Sequence, residues 1–138
     1  KEKYHEITYG YAIAAAKAMV AANPDVTFLF VSGGGADSSE TSKTLFARVK
    51  GKTENELLRM NMKKLIIARP GAIRPVHKNP KAPFLYKLAL PLFPIMQFFT
   101  PSKVINSVKL ALPLLFLLKK NMTKQILSNP DLQALVKE

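Results

Sequence analysis

The sequence contains no cysteine, no tryptophan and only two histidines. Without cysteine the chain can form neither a disulfide framework nor a thiolate metal site. The histidines, His5 and His77, are far apart and have no acidic or histidine companion at the spacing of zinc ligands, so no metal site is predicted. This composition is compatible with a cytoplasmic protein, which is the location we expect.

Acidic residues are also scarce, since nine Asp and Glu stand against 21 Lys and Arg and the formal net charge is +12. Residues 1–60 hold eight basic and seven acidic residues, whereas residues 61–138 hold thirteen and two. The basic second half is suited to phosphates, nucleic acid or an anionic membrane surface, or it is a solvated lysine surface. Nucleic acid is not expected as a partner, because the basic residues are not interleaved with stacking aromatic residues.

No apolar run reaches the length of about twenty residues that a membrane-spanning helix requires. The most apolar helix candidate, residues 102–118, contains a nine-residue apolar stretch from Leu110 to Leu118 that includes Pro113. This pattern is compatible with a helix packed under a sheet and with a helix lying in a membrane interface. The lysines that flank the stretch and suit the second interpretation are Lys103, Lys109, Lys119 and Lys120.

A dinucleotide-binding fold normally begins with a strand and G-x-x-G-x-x-G, and the six glycines of this chain do not form that pattern. Three of them, Gly33 to Gly35, follow the apolar run Thr27–Ser32, which is typical of a buried strand. A helix is predicted from about Lys43 to Met60. Phe46 and Lys50 are four residues apart and therefore leave the same face of this helix.

A strand that ends in serine, followed by a helix with Tyr-x-x-x-Lys, resembles the active site of the short-chain dehydrogenase/reductase superfamily. The atypical, epimerase-like branch is the most similar, because Ser32, Lys50 and the run V-K-G-K-T-E-N match its pattern. The resemblance implies that Ser32 orients a substrate carbonyl and that Lys50 binds the nicotinamide ribose. The tyrosine that acts as general acid or base is replaced by Phe46, whose phenyl ring has no proton to give.

The order of elements predicts an α/β fold with a Rossmann-like parallel sheet and flanking helices. A helix over residues 7–22, the strand Thr27–Ser32, the helix described above and a strand Lys64–Arg69 alternate with short connections. In the resembled family Arg-Pro-Gly follows the second of these strands, so Pro70 and Gly71 are expected to border the nicotinamide of NAD or NADP. A strand over residues 124–127 and a helix from Asn129 to Val136, with Asn129 as its cap, are predicted to close the chain.

Residues 1–138 are expected to form one domain that lacks the N-terminal, glycine-loop half of the parent fold, about eighty residues. Cofactor binding would then require an upstream glycine-rich segment, and a second copy or that segment would cover the open side of the sheet. Residues 72–120 comprise a proline-rich lid and the apolar helix. The polar residues of the lid best suited to touching a ligand are Arg74, His77 and Tyr86.

The leading hypothesis is an NAD(P)-binding protein that binds or senses the cofactor rather than turning it over. Its expected partner is a small-molecule substrate of unknown identity. If it is an enzyme, Ser39 and Thr44 are other candidate proton donors. One alternative is a non-enzymatic basic domain on an anionic membrane surface, and another is a chain that has lost cofactor binding. The membrane hypothesis predicts one exposed aromatic patch, made of Phe84, Phe93, Phe98, Phe99 and Phe116.

Overall fold

The computed structural model describes residues 1–74, 76, 98–119 and 124–135, which form a mixed α/β structure. The chain opens with helix α1 (Glu2–His5), a π-helical turn (Glu6–Gly10) and helix α2 (Tyr11–Ala22). Strand β1 (Thr27–Val31), helix α3 (Leu45–Arg59), strand β2 (Lys64–Arg69) and strand β3 (Ala72–Arg74) follow. After a 3-10 turn (Pro101–Lys103) come strand β4 (Val104–Asn106), helix α4 (Ser107–Lys119), strand β5 (Ile126–Ser128) and helix α5 (Asn129–Ala134).

The main sheet has three parallel strands in the order β1-β2-β5, which confirms the predicted α/β fold with a parallel sheet. Thr27 pairs with Lys64 at one side of β2, and Ile67 pairs with Ile126 at the other. A second, two-stranded parallel sheet joins β3 to β4, with Ala72 opposite Val104. Among the described residues β2 is the central strand, whereas β1 is an edge strand.

Helices cover both faces of β2, whose side chains alternate between two cores because successive residues of a strand face opposite ways. Leu65 and Ile67 pack towards α2 and α3, with Ile13, Phe28 and Leu57. On the other face Ile66 and Ala68 belong to a core supplied by β4, α4, β5 and α5. Its remaining buried members are Ile105, Leu110, Leu117, Leu127 and Leu132. Coverage on both faces explains why the β2 sequence is apolar throughout its centre.

The predicted helix over residues 102–118 begins later than expected, at Ser107. The β-branched pair Val104 and Ile105 is buried in β4 instead, where it pairs with β3. Helix α4 contains Pro113 and buries one face through Leu110, Pro113 and Leu117. None of the helices in the described ranges is long and apolar enough to cross a membrane.

The cap of the last helix also differs from the prediction. Ser128, not Asn129, caps α5, because the Ser128 side chain accepts from the Asp131 N–H and the Asp131 carboxylate accepts from the Ser128 N–H. The side chain of Asn129 is used elsewhere: it accepts from Gly71 N at 2.9 Å and donates to the Ser102 carbonyl at 2.6 Å. Tertiary hydrogen bonds therefore decide which of two suitable residues becomes the cap.

Candidate functional site

A cavity of about 910 Å3 lies where β1, β2 and β5 end. Parallel strands present their carboxyl ends at one edge of the sheet, which is where open α/β folds bind ligands. Four groups of residues line this cavity: Ser32 to Gly35, Phe46, Arg69 to Ile73 with Ser102 and Lys103, and Ser128 to Pro130. Three of the four predicted site positions near the nicotinamide, Ser32, Pro70 and Gly71, are thus brought together with Phe46.

Ser32 provides an unused hydrogen-bonding group in the wall of the cavity. Its backbone N–H donates to the Ala68 carbonyl at 2.8 Å, which extends the β1–β2 pairing by one residue. The side chain is only 8% exposed, and within the described ranges its Oγ has no hydrogen-bond partner. A buried hydroxyl without a partner is costly, so its presence at this edge suits a ligand that supplies the missing bond.

The glycine turn allows Phe46 to approach the end of β1 closely. A methyl group on Gly33 would lie 2.7 Å from Cζ of the Phe46 ring, so any larger residue would displace the ring. Gly34 donates its N–H to the Pro70 carbonyl at 2.7 Å, which fastens the turn to the end of β2. None of the glycines has a positive φ among the described residues. The glycines are therefore required for close approach rather than for an unusual backbone conformation.

Lys50 lies beside the cavity and not in its lining. Its Nζ donates to the Val31 carbonyl at 3.2 Å and sits 4.8 Å from the centre of the Phe30 ring. Since Ser32 N–H points to β2, the neighbouring Val31 carbonyl points to the open edge of β1. Burial lowers the pKa of Lys50, and attraction to the Glu54 carboxylate partly opposes that shift. The ammonium group is thus held at the edge of β1 that does not pair with β2.

An ion pair that the sequence analysis did not identify supports the end of β2. Arg69 Nε donates to both carboxylate oxygens of Glu54 at 3.0 Å, and Arg69 Nη2 bonds to Glu54 and to Ser38 Oγ. Glu54 is completely buried in α3. A buried carboxylate requires such a partner, because an unpaired charge would be strongly destabilising there. One indication of this pair was present in the sequence, because Glu54 is a charged residue on the apolar face of the predicted helix.

Asn129 is a second residue whose part in the cavity could not be read from the sequence. It is buried and joins Gly71, at the end of β2, to Ser102, which precedes β4. Gly71 is also closely packed, since a methyl group there would lie 2.0 Å from the Lys103 carbonyl oxygen. Asn129 therefore fixes the relative positions of three cavity walls.

The other candidate residues are not brought to the cavity. Ser39 and Thr44 lie in the loop before α3, where Ser39 Oγ donates to Asp37 at 2.6 Å and Thr44 bonds to Ser42. Arg74 is exposed in β3 and is not part of the lining. His77 and Tyr86 lie outside the described residues. Within the described ranges, no group of three or more His, Asp or Glu residues could hold a metal ion.

No protein-family model matches the chain. The chain is similar to "Protein FMP52, mitochondrial" of Debaryomyces hansenii, with 38% identity over 72 residues. The match covers 52% of this chain and 30% of that protein, so the chain spans less than a third of its length. That relative is a mitochondrial protein by name, and the cytoplasmic location expected for this chain stays a prediction.

Proposed function

We propose that this chain forms the nicotinamide side of an NAD(P)-binding, epimerase-like or short-chain dehydrogenase-like fold, and that it binds or senses the cofactor without redox turnover. The observation that carries the proposal is the buried, partnerless Ser32 hydroxyl at the carboxyl edge of a parallel sheet. It shares one cavity with Phe46, Pro70 and Gly71, the positions at which the resembled family builds its site.

The residues present fit the nicotinamide end of such a cofactor. The Ser32 hydroxyl, unpaired within the described ranges, supplies a polar group, and the glycine turn beside it has no side chains, so a ring can approach the backbone there. Lys50 would exchange its bond to the Val31 carbonyl for ribose hydroxyls, and Pro70 with Gly71 would border the ring. The pyrophosphate would require backbone amides of an upstream glycine-rich turn. A bound nicotinamide supplies hydride chemistry, and the residues of this chain position it.

Binding is favoured over catalysis by the geometry of the proton donors. Phe46 lies at the family's tyrosine position, lines the cavity and has no ionisable group. Ser39 and Thr44, the other candidate donors, form hydrogen bonds within the loop before α3 and do not line the cavity. Ser32 alone is a weak acid, so neither of the side chains at the family's serine and tyrosine positions is an efficient proton donor.

The proposal is tested by measuring the binding of NADH and NADPH. The protein to use is the product of the complete reading frame that contains these residues. We expect Lys50→Gln to weaken binding about tenfold, because one charge-assisted hydrogen bond is lost. Lys52→Gln is the matched control, since Lys52 lies in the same helix but its Nζ sits over the Tyr9 ring, 5.1 Å from its centre. Equal losses in both variants, or no binding by the unmodified protein, would refute the proposal.

A second candidate function is association with an anionic membrane surface, and the exposure of three aromatic residues favours it. Phe98, Phe99 and Phe116 are 82%, 74% and 43% exposed. Helix α4 adds exposed Val108, Leu112, Leu115 and Leu118. Phe84 and Phe93 lie outside the described residues. An amphipathic apolar surface with neighbouring lysines is typical of helices that lie in a membrane interface.

Vesicle flotation distinguishes this candidate. The unmodified chain should float with vesicles containing anionic phosphatidylserine and not with neutral phosphatidylcholine vesicles. The double variant Phe98→Ser/Phe99→Ser should lose flotation, whereas Ile7→Ser, which removes an exposed apolar residue from another surface, should retain it. Flotation unaffected by the double variant would exclude this surface.

Imaging the tagged protein against a mitochondrial marker tests the predicted cytoplasmic location.

A further inference from the structure

The cavity has an excess of positive charge at its rim. Among the described residues, its lining contains two cationic side chains, Arg69 and Lys103, and no Asp or Glu. The Arg69 charge is compensated by buried Glu54, with which it forms the ion pair described above. Lys103 is exposed, and within the part of the chain that the structure describes its ammonium group has no hydrogen-bond or ion-pair partner. One uncompensated cation therefore stands at the cavity.

The backbone that carries Lys103 is held firmly on both sides. The preceding Ser102 carbonyl accepts from Asn129 at 2.6 Å, and the Lys103 carbonyl packs against Gly71 so tightly that a methyl group would not fit. The following residue, Val104, is buried and paired with β3. Only the side chain of Lys103 is left to adjust, so little ordering of the backbone is required when it engages a ligand.

The rest of the accessible lining is largely apolar. Phe46 and Ile73 are both partly exposed. Two buried polar residues line the cavity: Asn129, whose amide bonds to Gly71 and Ser102, and Ser32, whose hydroxyl is unpaired within the described ranges. A cavity of this kind selects a ligand with an apolar body, a group that hydrogen-bonds to Ser32 and a negatively charged end.

We propose that the ligand of this cavity bears a carboxylate or phosphate group, that Lys103 binds this group, and that Phe46 and Ile73 contact the apolar part. This inference rests on the proposed function, because it assigns the substrate side of the same site. Lys103 is then the residue that determines preference for anionic over neutral ligands.

Three probes of similar shape test the inference by calorimetry, without cofactor: 3-phenylpropanoate, 3-phenylpropyl phosphate and 3-phenylpropan-1-ol. At low salt we expect at least one anion to bind about tenfold more tightly than the alcohol, and the preference to shrink as salt is added. The carboxylate and phosphate arms show which anion the site prefers. Lys103→Gln should abolish the preference, because it weakens the binding of the anions to the level of the alcohol.

Lys109→Gln is the matched control, because Lys109 has the same charge, lies six residues away in α4 and does not line the cavity. It should retain the full preference. The inference is overturned if no probe binds, if the alcohol binds as tightly as the anions, or if both lysine variants lose the preference equally. These outcomes are independent of the NADH titration, so failure of the substrate assignment and failure of cofactor binding are distinguished.

Discussion

Gly51 determines how closely α3 approaches the loop after the glycine turn. A methyl group on Gly51 would lie 1.7 Å from the backbone oxygen of Asp37. The loop cannot retreat easily, because the Asp37 carboxylate accepts from the N–H groups of Ser39, Thr41 and Ser42. The Ser39 hydroxyl also donates to this carboxylate. That bond is the largest of the effects that hold the pKa of Asp37 below its usual value, and the N–H bonds add to it. The Asp37 carbonyl is therefore held close to position 51, where only glycine is small enough to fit.

We expect Gly51→Ala to destabilise the protein by about 1–3 kcal/mol, the usual cost of overpacking, despite the better helix propensity of alanine. Gly10→Ala is the control, because the nearest heavy atom to its new methyl group would be 4.0 Å away. That change should be neutral or stabilise by up to about 1 kcal/mol. Urea denaturation of the two variants measures both values. A Gly51→Ala protein as stable as the unmodified one would show that the loop is free to move.

The Phe46 ring occupies the place at which a phenol would complete the acid–base group of the resembled family. Its Cζ packs against Gly33 in the same cavity as Ser32, so under the proposed function Phe46→Tyr adds the family's hydroxyl between the ring and the glycine turn. We expect this variant of the full-length protein to gain measurable reduction of a carbonyl panel with NADPH. Phe30→Tyr, on the neighbouring strand but outside the lining, should gain nothing. Clear activity in the unmodified protein would contradict the binding-only proposal.

At the scale of an element, α5 depends on the reciprocal bonds between Ser128 and Asp131. The Asp131 carboxylate accepts from Lys124 Nζ at 2.7 Å, from Ser128 Oγ at 2.6 Å and from Ser128 N at 2.7 Å. The hydrogen bond from Lys124, followed by that from Ser128, lowers the pKa of Asp131. Because Asn129 of this helix also ties β2 to β4, loosening of α5 reaches the cavity.

This lowered pKa predicts a pH dependence of stability. A carboxyl group whose pKa is lower in the folded state stabilises the protein above its unfolded pKa, about 3.9, and this contribution is lost as the pH falls through the folded value. Asp131→Asn removes the titrating group, so its stability should fall less than that of the unmodified protein between about pH 5 and pH 2. Thermal unfolding across this range measures the difference. Parallel curves for the two proteins would contradict the prediction.

Some elements could be predicted from local sequence and others could not. The apolar run of β2, bounded by Lys64 and by Pro70, was predicted with the correct bounds because its signal is entirely local. The three-residue strands β3 and β4 pair across about thirty residues, and so short a segment shows no periodicity. In the site, Ser32, Pro70 and Gly71 lie together because they follow the carboxyl ends of β1 and β2, which are neighbouring parallel strands. Glu54 and Lys103 were missed as site residues because their roles depend on contacts distant in sequence.

At the scale of the whole molecule, one side of the sheet is open. Among the described residues β1 pairs only with β2, and its Val31 carbonyl is engaged by a lysine side chain instead of a strand. Val31 and, on α2, Tyr11 and Met19 are exposed although they are large and apolar. The strand carries the aromatic and branched residues of a strand with two neighbours. An edge of this kind is a template for pairing with another chain segment.

We therefore expect the 138-residue chain, when produced alone, to self-associate through the open side of β1 and the exposed face of α2, and to show no measurable NADH binding. Light scattering should give a mass of at least twice the 15.3 kDa of the chain. The double variant Tyr11→Lys/Val31→Lys should reduce the association, because lysine on an edge opposes pairing. Val108→Lys, on α4, is the control and should not. A stable, cooperatively folding monomer would contradict the prediction, because it would show that the open edge of β1 does not have to pair with another segment. The bond from Lys50 to the Val31 carbonyl would then be enough to prevent pairing there.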